Sequence, residues 1–347
     1  MTSGAIAGRS NGGWHPGSVR PFSELTPRGQ RGRLRALSIE ALRRYSARIA
    51  PTGLHFFAES FNTVFRATSG AGDHYALRVG PRERIHPEGT EVTEVTWMAA
   101  LGEDGACPIP RAYEADDGSL VLRQSHPGVP GERMCVLFDW IAGRPLADQM
   151  DTDLARRAGR LSAVLHGHAA ASGPATAPLV PVADRVLYWL VEDRLSELTP
   201  TYGSLFLEAR DRAQQTVDSL WRHPPHRPHL IHGDLVPSNV IVSGARLTPI
   251  DFQDLVWGFE VQDIAITLSS LHRFAEATTL VDAFRSGYRA VRRWEDSDPA
   301  LLAALTAGRR LHQLNLGLNL RKPGLTEFVG RAGTFIRGWM DPADPPA

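Results

Sequence analysis

His232-Gly233-Asp234-Leu235-Val236-Pro237-Ser238-Asn239-Val240-Ile241-Val242 and, after a short turn, Pro249-Ile250-Asp251-Phe252-Gln253-Asp254 decide the reading of this chain. The stretch sets a carboxylate, an amide five positions on, and a second carboxylate at the end of a short apolar strand. Phosphoryl transfer needs such a set: one acid to orient an acceptor hydroxyl, and an Asn/Asp pair of hard oxygen donors to hold Mg²⁺ on nucleotide phosphates. The composite order is more specific than any lone Gly-rich loop.

Working outward, the two sides of this stretch differ in pattern. Residues 1–35 are rich in Gly, Ser, Arg and Pro without apolar periodicity and read as a disordered tail, as do 341–347. Ser38 is the expected N-cap of a helix through Ile49. Strands are expected at His55–Phe57, Thr63–Arg66, His74–Val79, Arg111–Tyr113, Leu120–Arg123 and Met134–Trp140, with one helix from Glu91 to Leu101. After Gly143 the spacing becomes helical. Asp151 can cap a helix lined by Leu154, Ala158, Leu161 and Leu165, and further helices are expected over Ala183–Leu198, Ser204–Trp221, Asp263–Phe274, Glu276–Val291 and Pro299–Asn319. The strand-like segments expected on this side are Val240–Val242 and Leu247–Asp251. The expected class is α+β and bilobal, with a small antiparallel sheet lobe over 36–139 and a larger, mostly helical lobe over 140–340.

His232-Gly233-Asp234-x₄-Asn239, Ile250-Asp251-Phe252-x-Asp254 and Val261-Gln262-Asp263-Ile264-Ala265 together resemble the aminoglycoside phosphotransferase/choline kinase superfamily, whose fold is protein-kinase-like. The resemblance runs from about Leu54 to Leu271 and is strongest over 230–265. It implies that Asp234 is the catalytic acid/base and that Asn239 and Asp251 are the Mg²⁺ ligands. It also implies ATP as phosphoryl donor, with GTP left open. His232 reads as a hydrogen-bonded prop for the loop rather than a direct participant. Asp254 is either an aid to the metal shell or substrate, or a solvated loop acid. Asp263 is expected to cap its helix and tie the catalytic loop in place.

On the strand-rich side, Glu59-Ser60-Phe61-Asn62-Thr63 falls where the superfamily covers the phosphates, but without the usual glycine. Ser60 and Asn62 are the candidate donors there, against the alternative of an ordinary polar hairpin. Arg78 occupies the place of the kinase lysine that grips the α/β-phosphates. Lys322 is the sole lysine of the chain, so arginine at this position reads as compositional drift, and a guanidinium still holds phosphate. Its expected partner is Glu94, with Glu91 the rival one turn earlier. The segment Met134 to Gly143 reads as the lobe crossing, where backbone groups near Phe138 and Trp140 would meet the adenine edge.

Gly233 stands where most regulated protein kinases carry arginine, and only twelve positions separate Asp251 from Asp263. That leaves no room for a peptide-docking activation segment, so the expected acceptor is a small hydroxylated molecule, an antibiotic, an amino alcohol or a sugar. It would lie against the polar residues Arg309 to Asn315, which otherwise read as a surface stripe. A stress-type serine/threonine protein kinase and a non-catalytic nucleotide-binding pseudokinase are the alternatives.

Composition narrows the rest. The 38 basic and 38 acidic residues cancel, so no bulk field recruits nucleic acid or a membrane surface. Neither a signal peptide nor a membrane span is visible, and Cys107 and Cys135 read as buried thiols, which together suggest a cytoplasmic protein. The oligomeric state is not written in the sequence.

Overall fold

The computed structural model describes residues 20–45, 49–173, 178–294, 298–321 and 324–341. The chain opens with helix α1 (Pro27–Arg43), where Pro27 pre-sets the first turn and the Thr26 hydroxyl accepts the Gly29 N–H at 3.2 Å. The helix therefore starts well before Ser38, inside the stretch read as tail. Ser38 lies mid-helix and donates to the Leu34 carbonyl. Residues 1–19 and 342–347 lie outside the described residues.

Strands β1 (Pro51–Glu59), β2 (Thr63–Ser69) and β3 (His74–Val79) lead to helix α2 (Thr90–Glu103), then β4 (Leu122–His126) and β5 (Val129–Asp139). They form one antiparallel sheet in the order β1-β2-β3-β5-β4. The expected strand at Arg111–Tyr113 is reduced to a single bridge between Ala112 and Phe138. Side chains alternate across β5, as a strand requires. Cys135 and Leu137 pack with Leu37 and Leu42 of α1, whereas Val136 and Phe138 face the larger core. Val95, Trp97, Met98 and Leu101 of α2 join that larger core too. Thus α2 belongs to the sheet lobe by sequence but to the helical lobe by packing.

The chain crosses through β6 (Arg144–Pro145) into α3 (Thr152–Ser172), which Asp151 caps by accepting the Leu154 N–H at 2.7 Å. A short helix α4 (Thr199–Tyr202) and α5 (Leu205–Arg222) precede β7 (His229–Ile231), β8 (Val240–Ser243), β9 (Arg246–Pro249) and β10 (Val256–Gly258). Helices α6 (Glu260–Leu271), α7 (Ala277–Arg289), α8 (Pro299–Leu320) and α9 (Leu325–Met340) complete the lobe. Helices α3 and α7 cross with backbones nearly touching. A Cβ on Gly159 would meet the Phe284 carbonyl oxygen at 2.0 Å, and one on Gly287 would meet that of Arg156 at 1.8 Å.

Three expectations are corrected here. Apart from a turn at Leu195–Leu198, the segment Ala183–Leu198 is not helical. Adjacent Tyr188 and Trp189 both turn inward, onto Ile85, Leu316 and His312, in an irregular segment whose tertiary contacts override its helical spacing. The short buried strands β7 and β10 pair with each other and carried no alternation to be read. Helix α9 lay beyond the expected helices. Neither cysteine is in a disulfide, and burial pushes both thiols up to about 12. Among the described residues no helix is long and apolar enough to cross a membrane.

Candidate active site

The loop between β7 and β8 carries Asp234 and Asn239, and it is held from behind. Asp263, one turn inside α6 and not at its cap, accepts the Gly233 N–H at 3.0 Å and the His232 N–H at 3.1 Å. His166 Nε2 lies 3.1 Å from the same carboxylate and its Nδ1 is 2.9 Å from the Tyr288 hydroxyl. Burial works to raise Asp263, yet His166 and the two amides outweigh it and hold this carboxyl below its usual range. Gly233 is dictated by space: φ is +76° and a Cβ would sit 1.9 Å from the Asp254 carbonyl oxygen. His232 props the loop, with Nε2 3.2 Å from the Ile250 carbonyl and Nδ1 accepting the Asp234 N–H.

Asp234 has both oxygens engaged. Oδ1 accepts Arg309 Nη2 at 2.7 Å and Oδ2 accepts Asn239 Nδ2 at 2.9 Å. Asn239 Nδ2 also donates to the Asp234 carbonyl, so Oδ1 is the Asn239 atom left for a cation. Burial raises the Asp234 carboxyl, with Arg309 opposing. Asp254 goes the other way. Burial would raise it, but His86 Nε2 at 3.1 Å and Arg309 Nη2 at 3.9 Å hold it low. Two neighbouring carboxyls are thus driven apart, a pattern that fits one for proton transfer.

Asp251 follows β9 in a left-handed conformation, φ +62°, an uncommon backbone for a non-glycine residue that costs about 1 kcal/mol. The strained turn points its carboxyl into the cleft, 47% exposed and 4.0 Å from Arg78 Nη1. Enclosure by the cleft pushes this carboxyl up to about 7; Arg78 opposes, while Asp254, Glu94 and Asp234 add to the rise. An under-compensated acid that follows directly on Ile250, whose N–H bonds the Asn239 carbonyl, fits with the Asn239 side-chain oxygen as donors to a hard divalent cation, which would take its other oxygens from phosphate and water.

Across the cleft, Arg78 on β3 forks onto Glu94 of α2 with contacts of 2.7 and 2.5 Å, both side chains buried. The choice between Glu91 and Glu94 falls on Glu94. Burial disfavours the Arg78 charge, but Glu94 more than offsets it. Asn62 donates to Gln253 Oε1 at 2.5 Å, bringing the β1–β2 loop against the residue between Asp251 and Asp254. Phe138 is a core side chain beneath the Arg78 guanidinium, and Trp140 packs edge-on against Phe57. The backbone here differs from expectation. The Asp139 and Trp140 amides already donate to the Arg111 and His74 carbonyls. The next N–H groups without a backbone acceptor among the described residues are those of Ile141 and Ala142.

Ser60, Asn62, Asp234, Asp251 and Asp254 line one cavity of about 390 Å³, closed on the other side by Trp189, Arg309 and Phe328. A larger cavity, about 490 Å³, opens elsewhere among Thr216, His226, Glu260 and Tyr288 and holds none of the candidate catalytic, metal or nucleotide residues. The polar residues of α8 are not a surface stripe: Arg309, His312 and Asn315 are all buried. Sequence reasoning missed the Arg309–Asp234 pair, although a lone arginine on the apolar face of a helix was the available signal. His86 offered none.

Residues 55–305 match the Phosphotransferase enzyme family. Among solved structures, the chain is similar to an amicoumacin kinase in complex with AMP-PNP, Ca²⁺ and Ami, with a TM-score of 0.70, 17% identity, and coverage of 91% of this chain and 96% of that one. It is also similar to a microcompartment-associated aminopropanol kinase, TM-score 0.66 and 24% identity over 88% of this chain and 94% of that one. A choline/ethanolamine kinase family protein from Mesorhizobium loti aligns at TM-score 0.57 and 17% identity, covering 88% and 95%. A probable bifunctional tRNA threonylcarbamoyladenosine biosynthesis protein of Methanosarcina barkeri is 36% identical over 83 residues, 22% of this chain but only 14% of that protein. The structural matches speak for the fold and the family match, which takes in Asp234, Asp251 and Asp263, speaks for the chemistry: this chain is an enzyme of the phosphotransferase family.

Proposed function

We propose that this enzyme moves the γ-phosphate of ATP to a hydroxyl of a small molecule, with Mg²⁺ as the divalent cation. The observation that carries the reading is the convergence of Asp234, Asp251 and the Ser60–Asn62 loop on a single cavity between the lobes. Asp234 orients the acceptor hydroxyl and takes its proton as that oxygen bonds to phosphorus and the bond to ADP breaks. Its raised carboxyl suits a proton acceptor. Asn239 and Asp251 would hold the cation, which when bound neutralises charge on the phosphates. Arg78, braced by Glu94, faces the α/β-phosphates, and Ser60 and Asn62 close over them. The adenine edge meets backbone groups just after Phe138–Trp140, at Ile141–Ala142, where N–H groups remain for it. His232 and Asp263 hold the loop rather than touch the substrate, and Asp254 shapes the acceptor side.

The test is a nucleotide-consumption screen of the full chain against aminoglycosides, other hydroxylated antibiotics, choline, homoserine and hydroxylysine, with ATP and GTP in parallel. Acceptor-dependent ADP release that needs Mg²⁺ supports the reading. Mg-nucleotide binding with no turnover on any acceptor, or phosphorylation of generic protein alone, defeats it.

A further inference from the structure

We propose that the acceptor carries an anionic group, a carboxylate or a phosphate, received by Arg273 and Arg309 on the helical-lobe wall of the cleft. This rests on the kinase reading above. Three acids reach the cavity: two are paired within it, and the third lies on the phosphate side. Asp234 is paired with Arg309 at 2.7 Å, Asp254 with His86 at 3.1 Å, and Asp251 faces Arg78 on the phosphate side. A cleft shaped for an ammonium-bearing acceptor leaves carboxylates open to receive it. Here the protein's own guanidinium occupies that place, between Asp234 and Asp254.

The basic groups, by contrast, have capacity left. Arg309 is only 8% exposed, and its buried Nε has no hydrogen-bond partner. Two further donors remain on its terminal nitrogens after Asp234 and the Tyr188 hydroxyl are served. Arg273 lines the same cavity and has no acidic partner among the described residues. Its neighbours are of like charge. Burial, then repulsion from Arg273 and Arg331, holds the Arg310 guanidinium below its usual range. A guanidinium set among like charges is unfavourable until an anion arrives, and guanidinium groups bind carboxylate and phosphate in a fork. Trp189, Leu316 and Phe328 offer the apolar wall for the carbon frame.

The experiment is equilibrium binding by calorimetry to the full chain loaded with Mg²⁺ and a non-hydrolysable ATP analogue. The probes share one polyhydroxylated frame: glucose, glucosamine, gluconate and glucose 6-phosphate. We expect gluconate or glucose 6-phosphate to bind about tenfold or more tighter than glucose and glucosamine. The stronger of the two tells carboxylate from phosphate. Arg273→Glu, and in milder form Arg273→Gln, should remove most of that preference while nucleotide binding is retained. Equal binding of all four, tightest binding by glucosamine, no saturable binding of either anion, or a preference untouched in both variants overturns the proposal. Preferential binding of an anion together with no ADP release on any acceptor of the screen above leaves the charge assignment standing and sinks the kinase reading instead.

Discussion

The loop around Asp234 and the wall opposite it are built on different principles. The loop is a short run of sequence whose backbone is held from behind by Asp263 and by contacts to the stretch that follows it, such as His232 to the Ile250 carbonyl. The wall is assembled from Ile85–His86, Tyr188–Trp189 and Arg309–Leu316, segments more than a hundred residues apart in the chain. Reaction type is therefore stored locally and acceptor choice is stored in tertiary packing. A motif can announce the first and stay silent on the second.

The largest expected effect lies on the loop. Asp234→Asn should lower turnover about 10²-fold or more while leaving Mg-nucleotide binding close to normal, because only the proton acceptor is lost. Near-normal turnover, measured beside a nucleotide titration on one preparation, would remove Asp234 from its role and erase the contrast.

Next comes the grip on the phosphates. Arg78→Ala strands a buried Glu94 and should cost about 3 kcal/mol of stability besides impairing nucleotide use. Arg78→Lys keeps the charge but cannot fork Glu94 with the same geometry, so its loss should be smaller on both counts. Denaturant melts and nucleotide affinity check this together; equal losses in the two variants would contradict it.

Arg309→Met sharpens the comparison, since this residue joins wall to loop. With the cation gone, the largest group that opposes burial at Asp234 is lost and its carboxyl rises further. The base is active when ionised, so the fall in kcat/KM on the acid side should begin at higher pH than in the unaltered enzyme. An unmoved profile would show that Arg309 does not set the titration of Asp234.

The smallest effect is thermodynamic. The Asp251 carboxyl is raised from 3.8 to about 7 in the folded protein, so the folded state binds that proton more tightly than the unfolded chain. Without ligand, its contribution to stability is full below about pH 4 and is lost as pH rises toward about 7. Mg-nucleotide binds the ionised form, so its gain in Tm should be larger at pH 8 than at pH 5, by a few degrees. Equal gains at the two pH values would remove Asp251 from the cation site.

What could be read in advance follows the same division. The α+β lobes, the helices α2, α3, α5 and α8, and the convergence of Asp234, Asn239 and Asp251 were legible, because local periodicity and one composite motif encode them. The Ala183–Leu198 segment was not. Its helical spacing is overridden by Tyr188 and Trp189 stacking on His312 from a helix far along the chain. The start of α1 was obscured by its Arg-rich surface face, which hid Leu34 and Leu37 within a polar run. Arg309 was visible as a residue but not as the partner of Asp234, since pairings over such separations leave no trace in spacing. Which amides near Phe138–Trp140 stay unengaged was not legible either, because the commitments to Arg111 and His74 are invisible until the strands are in register.

One consequence follows from where α2 packs. Glu94 and Trp97 stand on one side of that helix, and Trp97 meets Phe252, the residue next to Asp251, edge-on at 5.5 Å. Glu94 meanwhile holds Arg78 on the sheet. The helix is thus riveted to the floor of the cleft while its ion pair tethers the roof. Any hinge motion that lifts the sheet away must pull on Arg78–Glu94 before it disturbs Asp251, so that ion pair would be strained first.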